Sequence, residues 1–378
     1  MNKINIAAGE AVSLMLALML CGCENEIEVP DELPGSIEER PYIGPSAPDS
    51  VSADTIGNTP PAGMESARVF GLCNADGVVV YYHQLSAGTC EVAPASEVAA
   101  GGETYSGRVE IPAQVACEGQ TLTVVGIAER AFERSEVTEV ILPPTLTQIG
   151  AYAFQYSTEL RRLVIPGGLK RIETCLCRGC TSLTSVIIED GVTCIGKLAF
   201  TKCTALAEVC LPGSMGVIDV GAFQGCTSLA TIEIPRYVST INDYAFSRCG
   251  LTSFAYPDRV QVVSEGVFQN CLALATVSLP SSLTSIGSYA FAGCAGLNHI
   301  VLPEPLSWIG SHAFAYCPSL CWVRALPALP PLCDDDSFCA EPAEGIAIRL
   351  EVPVGSEDAY GTAPVWQRFA QIISEEGE

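Results

Sequence analysis

Apolar residues in the middle of the chain return at a spacing of about 23 residues. One column is aromatic except at Cys177, and its members are Phe132, Phe154, Cys177, Phe200, Phe223, Phe246, Phe268, Phe291, Phe314 and Phe338. Isoleucine or valine stands five residues ahead of this column, from Ile127 to Ile309, and cysteine stands three residues behind it, from Cys180 to Cys317. Self-similarity at a fixed period of this length predicts a solenoid of stacked repeats.

Each repeat divides into a strand segment and a turn segment. The strand segment reads L-x-x-V-x-L-P, as in residues 206–212, 229–235, 274–280 and 297–303. Its alternation predicts a short strand with one buried face, and the proline ends the strand because it has no N–H for the ladder. The turn segment, I-G-x-x-A-F-x-x-C, predicts a short helical or 3₁₀ turn that packs on the strand. One unit cannot bury its own apolar face, so the repeats must stack.

One repeat departs from the pattern where Leu176-Cys177 replaces Ala-Phe. We expect Leu176 to face the core, where it fills part of the space left by the missing ring, and we expect the core to be locally looser there.

These repeats resemble the BspA-like leucine-rich-repeat family, which occurs on surface proteins of bacteria and some protozoa. The resemblance covers roughly residues 121–330. It implies a leucine-rich-repeat solenoid of short parallel β-strands with short helical or 3₁₀ turns, which binds partners and is curved. Residues 78–82 and 109–112 ahead of the repeats, and residues 348–353 with Trp366 and Phe369 behind them, look like β-rich N- and C-terminal caps.

The first residues are predicted to be an export signal. Lys3 precedes an apolar run from Ala11 to Leu20, which is too short to span a bilayer and fits the hydrophobic part of a signal peptide. Leu20-Cys21-Gly22-Cys23 resembles a bacterial lipobox, which implies lipidation at Cys23. An ordinary secretory peptide with incidental cysteines is the alternative. The rest of the chain contains no stretch that reads as a membrane span, so the lipid would be the membrane anchor.

A proline-rich acidic segment follows the lipobox. Such a composition buries little and stays extended. Acidic residues directly after Cys23 resemble the surface-export signal of some Gram-negative anaerobe lipoproteins, which implies a bacterial outer-membrane lipoprotein exposed at the cell surface. The predicted organisation is a signal peptide (1–22), a tether (23–68), an N-terminal β cap (69–120), the repeats (121–332) and a C-terminal cap (333–378).

Charge narrows the class of partner. The chain has 43 acidic and 19 basic residues and a formal net charge of −24. This balance argues against nucleic acid, because binding to phosphates needs clustered Lys and Arg. The hydrophobic fraction of 48% also argues against an acidic disordered protein.

Nineteen cysteines raise the question of redox or metal chemistry. Cys177 and Cys180 form a C-x-x-C, the motif of a thiol oxidoreductase, but both fall on repeat positions, which favours packing in the core. The cysteine column is expected to consist of reduced, packed thiols. Five cysteines off the column are better disulfide candidates: Cys73, Cys90, Cys117, Cys333 and Cys339.

Other candidate chemistry is weaker. Residues 333–339 read C-D-D-D-S-F-C, which invites a calcium site, but they lack the spaced oxygens of an EF-hand loop, so a solvated turn is favoured. His299 falls in a strand segment and His312 in a turn, so each histidine is more easily a substitution at a repeat position than a general base. The chain has no Gly-rich phosphate loop, no H-E-x-x-H and no G-x-S-x-G. We therefore expect no catalysis, no metal site and no cofactor.

Strand alternation identifies the exposed face of the repeats. Two columns point away from the core, one from Glu139 to Trp322 and one from Ile141 to Arg324. Neighbouring strands join them into a continuous surface, the usual binding face of a solenoid. The binding residues predicted on it are Arg162, Glu208, Glu233, His299, Trp322 and Arg324, and Ile141, Val164 and Ile187 form an apolar stripe. The alternative is that single exposed apolar residues are normal on any surface.

The sequence thus predicts a non-catalytic, surface-anchored binding or adhesion protein that presents this face to an extracellular protein. The alternatives are a polysaccharide-binding module, for which Trp322 is a lone aromatic platform, and an exported thiol oxidoreductase that uses Cys177 and Cys180.

Overall fold

A computed structural model describes residues 68–74, 77–97, 104–338 and 346–374. The predicted signal peptide, the lipidation site Cys23 and all of the predicted tether except Arg68 lie outside the described residues, as does Cys339.

The structure is built almost entirely from short strands. In chain order they are β1 (Val69–Cys73), β2 (Val79–Gln84), β3 (Thr89–Val92), β4 (Ser106–Glu110), β5 (Gln114–Cys117), β6 (Gln120–Ile127), β7 (Glu136–Ile141), β8 (Gln148–Ile149), β9 (Arg162–Ile165), β10 (Arg171–Ile172), β11 (Ser185–Ile188), β12 (Cys194–Ile195), β13 (Glu208–Cys210), β14 (Val217–Ile218), β15 (Thr240–Ile241), β16 (Ser253–Ala255), β17 (Val262–Val263), β18 (Thr276–Ser278), β19 (Ser285–Ile286), β20 (His299–Leu302), β21 (Trp308–Ile309), β22 (Trp322–Ala325), β23 (Leu332–Cys333), β24 (Ile346–Val352) and β25 (Phe369–Ser374). The helices of the described residues are α1 (Glu357–Thr362) and two 3₁₀ turns, Ala95–Glu97 and Trp366–Arg368.

Two sets of parallel strands run along the repeats. The strand segments form the main sheet, which has four parts: β4-β7, β9-β11-β13, β16-β18 and β20-β22-β24-β25. The two-residue strands around the isoleucine column form the second sheet, with the parts β10-β12-β14-β15 and β17-β19-β21-β23. Most coils of the solenoid contribute a strand to both sheets, so the predicted solenoid of repeats is confirmed.

The aromatic column lies in the core of the solenoid. Each of its phenylalanines is buried, and neighbouring rings stack nearly parallel, with centroids 5.1 Å apart for Phe132–Phe154 and 5.2 Å apart for Phe291–Phe314. This separation follows from the strand spacing of about 4.8 Å between coils. Burial of each ring contributes roughly 1.5–3 kcal/mol. Leu176 is also fully buried, so the prediction that it faces the core is confirmed.

The aromatic turns, defined as the run from the isoleucine to the cysteine of each repeat, contain neither α-helix nor 3₁₀-helix. Residues two before and two after the column position have positive φ, as at Arg130 (φ 58°) and Arg134 (φ 55°). Gly266 (φ 57°) is required for a further reason, because a Cβ there would lie 2.2 Å from the Tyr244 ring.

Alternating left- and right-handed residues turn every second N–H of the aromatic turn toward the next coil. Arg130, Phe132 and Arg134 donate to the carbonyls of Ala151, Ala153 and Gln155. The same three hydrogen bonds recur in each coil up to the one that contains Phe291. A helix would have used these N–H groups within its own coil, so the direction of these hydrogen bonds explains why no helix forms.

The main sheet is interrupted at residues 229–235, where the sequence pattern predicted a strand and the structure has none. No backbone hydrogen bond joins residues 231–234 to a neighbouring coil. In the next coil, the inward positions usually held by valine and leucine are held by Phe254 and Tyr256, which pack edge-on against Phe268. These larger rings spread the coils, and the Phe246–Phe268 centroids are 6.0 Å apart.

The two ends of the solenoid are closed in different ways. At the N-terminal end, β1, β2, β3, β6 and β5 pair in that order, and β8 pairs with β6 to continue into the second sheet. At the C-terminal end, Phe338 contacts Trp366 and Phe369. The buried Trp366 donates its indole N–H to the Pro331 carbonyl at 2.8 Å. At the N-terminal end, Tyr105 contacts Phe132, so further aromatic side chains cover the aromatic column at both ends.

Within the described residues, we find no helix with the length and hydropathy needed to cross a membrane.

Candidate binding face of the main sheet

The outward face of the main sheet carries the residues predicted to bind a partner. Arg162 in β9 and Glu208 in β13 are exposed, and both align with Ser185 of β11, which lies between them. Glu233 is also exposed but lies in the interruption of the sheet rather than in a strand. His299, Trp322 and Arg324 are half-buried and lie in the last part of the sheet. The structure therefore groups the last three and leaves the others separate.

His299 and Trp322 form a stacked pair at the C-terminal end of this face. They are register partners in β20 and β22, and their ring centroids are 5.8 Å apart. Trp322 Nε1 is buried and has no hydrogen-bond partner among the described residues. An indole N–H normally finds an acceptor when it is buried, but this nitrogen is too deeply buried for a docked partner to reach it in this structure.

Charged and polar side chains extend the same surface. The next register partners of Trp322 are Arg349 in β24 and Gln371 in β25. Arg324 forms an ion pair with Glu351 of β24, with Nε and Oε1 3.4 Å apart. The cluster therefore combines two aromatic rings with donors and acceptors of both charge signs, a composition that suits recognition of a polar partner.

The predicted apolar stripe at the other end of the face is less exposed. Ile141 is exposed in β7, whereas Val164 and Ile187 are half-buried and pair in register between β9 and β11. The stripe is continuous over these last two coils.

The cysteine column has a role that the sequence did not suggest. Each thiol from Cys180 to Cys317 donates to a carbonyl of the preceding coil, and the Sγ–O distances lie between 3.0 and 3.2 Å. Ser157 holds the same position one coil earlier and donates to the Phe132 carbonyl at 2.6 Å. That serine is the signal in the sequence that could have indicated a donor rather than only an apolar residue.

Burial makes the C-x-x-C a poor redox site. Cys177 and Cys180 are fully buried. Burial, with a hydrogen bond to Cys180 as a smaller cause, raises the pKa of the Cys177 thiol well above its ordinary value. A catalytic thiol needs the opposite, a lowered pKa and access to substrate, so the geometry opposes the oxidoreductase hypothesis.

The disulfides expected off the column are not formed among the described cysteines. Cys73, Cys90, Cys117 and Cys333 are free thiols. Cys333 is held in a different way, with its Sγ 3.6 Å from the Pro331 carbonyl.

The acidic run at residues 334–336 forms a turn. Asp336 accepts hydrogen bonds from the Ser311 hydroxyl at 3.0 Å and from the His312 backbone N–H at 3.3 Å. In earlier coils the equivalent N–H donates to a backbone carbonyl, as Tyr289 does to Ser311, so the Asp336 carboxylate takes the place of that carbonyl. Among the described residues, no group of three His, Cys, Asp or Glu side chains is arranged to hold a metal ion.

Sequence reasoning missed a second apolar surface on the second sheet. Trp308 and Leu332 are register partners in β21 and β23 and are 39% and 75% exposed. Their positions lie directly before the isoleucine column, outside the strand segments whose alternation predicts the outward columns.

Comparisons with known proteins bear on the repeats. A family model described as the BspA type leucine-rich repeat region matches six copies over residues 125–249 and 200–321, which together span more than half of the chain. No curated protein sequence matches the chain.

Several solved structures are similar. A leucine-rich repeat protein from Bacteroides ovatus is 24% identical, with a TM-score of 0.32, over 79% of this chain and 98% of its own. A leucine-rich cell surface protein from Faecalibacterium prausnitzii is 21% identical, with a TM-score of 0.38, over 82% of this chain and 95% of its own. The pneumococcal vaccine antigen PcpA is 14% identical, with a TM-score of 0.42, over 83% of this chain and 100% of its own.

Proposed function

The chain belongs to the BspA-type leucine-rich-repeat family, and from this premise we propose that it is a non-catalytic binding or adhesion module. Its partner is an extracellular protein, which docks on the outward face of the main sheet. Solenoids of stacked repeats commonly use such extended surfaces for binding.

The observation that carries this proposal is the half-buried cluster of His299, Trp322 and Arg324. Tryptophan and arginine are enriched among the residues that dominate binding energy at protein interfaces. The other predicted residues, Arg162 and Glu208, would contribute at the rim of the same face.

The test is a binding screen against extracellular matrix and secreted proteins, followed by affinity measurement with a double variant, W322A/R324A. A matched control is R171A/W308A, which makes the same two changes on the second sheet. The proposal expects W322A/R324A to weaken binding at least tenfold and the control to leave affinity within about twofold. Equal loss in both variants, or no loss in either, would refute the proposed face.

A polysaccharide is the second candidate partner. The stacked His299–Trp322 pair favours it, because an aromatic surface can pack against the apolar face of a sugar ring. A glycan array scanned with the same two variants distinguishes the classes: saturable binding to glycans and to no protein would assign the face to carbohydrate.

We also propose that a lipid on Cys23 anchors the protein to the outer membrane, with the repeats outside the cell. Protease treatment of intact cells should remove the repeats, and a C23A variant should be released from the membrane fraction. Protection from protease until the outer membrane is opened would place the protein in the periplasm.

A further inference from the structure

Two arginines converge on one exposed tyrosine at the edge of the solenoid. The guanidinium carbon of Arg236 lies 4.6 Å from the centroid of the Tyr237 ring, and that of Arg259 lies 5.1 Å from the same centroid. Arg236 and Tyr237 follow Pro235 at the end of one strand segment, and Arg259 occupies the equivalent turn after Pro257 in the next coil. The tyrosine is 45% exposed, so the cluster is open to solvent.

Most of the hydrogen-bonding capacity left in the side chains of this cluster is donor capacity. Arg236 donates to the phenol oxygen of Tyr237 at 2.7 Å, which leaves the phenol hydrogen free to point outward. Guanidinium groups have donors and no acceptor. In the described part of the chain, neither Arg236 nor Arg259 forms an ion pair, although Asp258 is adjacent in sequence to Arg259.

Two neighbouring arginines that form no ion pair are unexpected on this protein. The chain has a net charge of −24, so carboxylates are abundant, and two like charges held on one ring repel each other. The ring face attracts both cations, but that attraction does not use their N–H groups. A bound anion would remove the repulsion and satisfy the donors.

The surroundings leave room for such an anion. The corresponding turn of the preceding coil holds Gly213 and Ser214, and that of the following coil holds Ser281 and Ser282. The Ser282 hydroxyl is turned onto the backbone and donates to the carbonyls of Asp258 and Val260. Small side chains in the turns on both sides therefore leave Arg236, Tyr237 and Arg259 as projecting groups, with Asp258 as the one carboxylate in these two turns.

The interruption of the main sheet lies directly beside this cluster. Residues 231–234, whose backbone makes no hydrogen bond to a neighbouring coil, end at Pro235, next to Arg236. Polar backbone groups without partners thus adjoin the side-chain donors, so a ligand larger than a single ion could make contacts with both.

From these contacts we propose that Arg236, Tyr237 and Arg259 bind a tetrahedral oxyanion, a sulfate or phosphate group. Three donor groups from three side chains match an anion with several oxygens better than a planar carboxylate with two, and arginine binds such oxyanions through paired N–H bonds. This site is separate from the face of the main sheet and goes beyond the function proposed above.

The experiment uses the full-length protein with ¹³C-labelled arginine side chains and inorganic sulfate as the probe, at constant ionic strength set with chloride. Sulfate should give saturable shifts of two arginine Cζ signals, which R236Q and R259Q variants assign. The double variant R236Q/R259Q should weaken binding at least tenfold, and Y237F should weaken it less. The matched control is R134Q/R171Q, which removes two charges from exposed arginines elsewhere on the solenoid.

Two results would overturn the proposal. Shifts that sulfate and chloride produce equally would mean that no site selects the oxyanion. Equal weakening in R134Q/R171Q and R236Q/R259Q would mean that binding follows net charge alone.

A second titration identifies the source of the anion. Sulfated dextran is compared with unsulfated dextran and with inorganic sulfate. Tighter binding of the sulfated polymer would assign the site to an ester on an extracellular polysaccharide, whereas equal affinity per sulfate group would assign it to the free ion.

Discussion

Some positions in the repeat require a side chain that donates a hydrogen bond as well as one of a suitable volume. The cysteine that follows each aromatic side chain is fully buried in most coils, yet its thiol donates to a carbonyl in the coil before it. That carbonyl already accepts an N–H from its own coil, as Phe200 does from Cys203, so the thiol uses its second lone pair. The position therefore selects for a small donor, which both cysteine and serine satisfy.

A pair of substitutions at Cys226 tests this account. C226A removes the donor and leaves a small cavity, so we expect the free energy of unfolding to fall by about 1–2 kcal/mol. C226S retains the hydrogen bond, as Ser157 does naturally, and should cost less. Urea unfolding of both variants gives the comparison, and a serine variant less stable than the alanine variant would show that the donor contributes nothing.

Two buried tyrosines give a second test at this scale. Tyr256 has a buried hydroxyl without a hydrogen-bond partner among the described residues, whereas the Tyr360 hydroxyl donates to the Pro327 carbonyl at 2.8 Å. Removing an unpaired buried hydroxyl relieves its desolvation, so Y256F should leave stability unchanged or raise it by about 1 kcal/mol. Y360F should lower stability by roughly 0.5–1.5 kcal/mol. The same unfolding measurement compares them, and an equal loss in both would contradict the difference in bonding.

At the scale of the element, the strand and the turn differ in how far the sequence determines them. Period-two alternation identified the strands of the main sheet and their outward residues, because alternation follows directly from strand geometry. The turn segment was expected to be helical or 3₁₀, and its backbone is different. Apolar spacing reports which residues are buried, whereas the left-handed conformation at Arg130 or Tyr152 is imposed by hydrogen bonds to the next coil.

The interruption of the main sheet could not be foreseen from its own residues either. Residues 229–235 match the strand pattern, and the cause lies in the following coil, where Phe254 and Tyr256 occupy the inward positions. For the candidate site, the sequence located the outward columns, but it could not tell that His299, Trp322 and Arg324 would group while Arg162 stayed apart, because the sheet divides between them.

Restoring the common residues should close the interruption. In an F254V/Y256L variant we expect residues 231–234 to form backbone hydrogen bonds with their neighbours, because the wedge between the coils is removed. Amide hydrogen exchange measures this, and protection at residues 231–233 should rise toward that at residues 208–210 of β13. The S253A variant, changed on the outward side of the same strand, serves as the control. Unchanged exchange in F254V/Y256L would mean that the aromatic pair does not cause the interruption.

At the scale of the whole molecule, the stacked thiols form a single set of buried acids. Burial raises the pKa of Cys271 and Cys317 to about 12, from an ordinary value of 9.0. It also raises the pKa of Cys203, Cys226, Cys249 and Cys294 well above that value. Unfolding exposes them all together, so their effects on stability add.

The protein should therefore be sensitive to alkali. A thiol with a raised folded pKa contributes its full stability below pH 9. Above that pH the unfolded chain loses protons first, so each such thiol lowers the free energy of unfolding by about 1.4 kcal/mol per pH unit until its folded pKa is reached. Between pH 9 and 10, under reducing conditions, urea midpoints should fall steeply. A C271S variant should show a slope shallower by one proton, and a midpoint independent of pH would contradict the prediction.

The three hydrogen bonds that each aromatic turn donates to the next coil give this edge of the stack a direction. Their N–H groups all point toward the C-terminal end and their carbonyls toward the N-terminal end, whereas the backbone beside the isoleucine column donates the opposite way, as Thr193 does to Lys170 and Gly196 to Ile172. The peptide dipoles of successive aromatic turns therefore add along their own edge, and the bonds beside the isoleucine column oppose them. At the C-terminal end of the aromatic edge, Asp336 places a carboxylate beside the His312 N–H, so an anion faces the partial positive charge of the last turn.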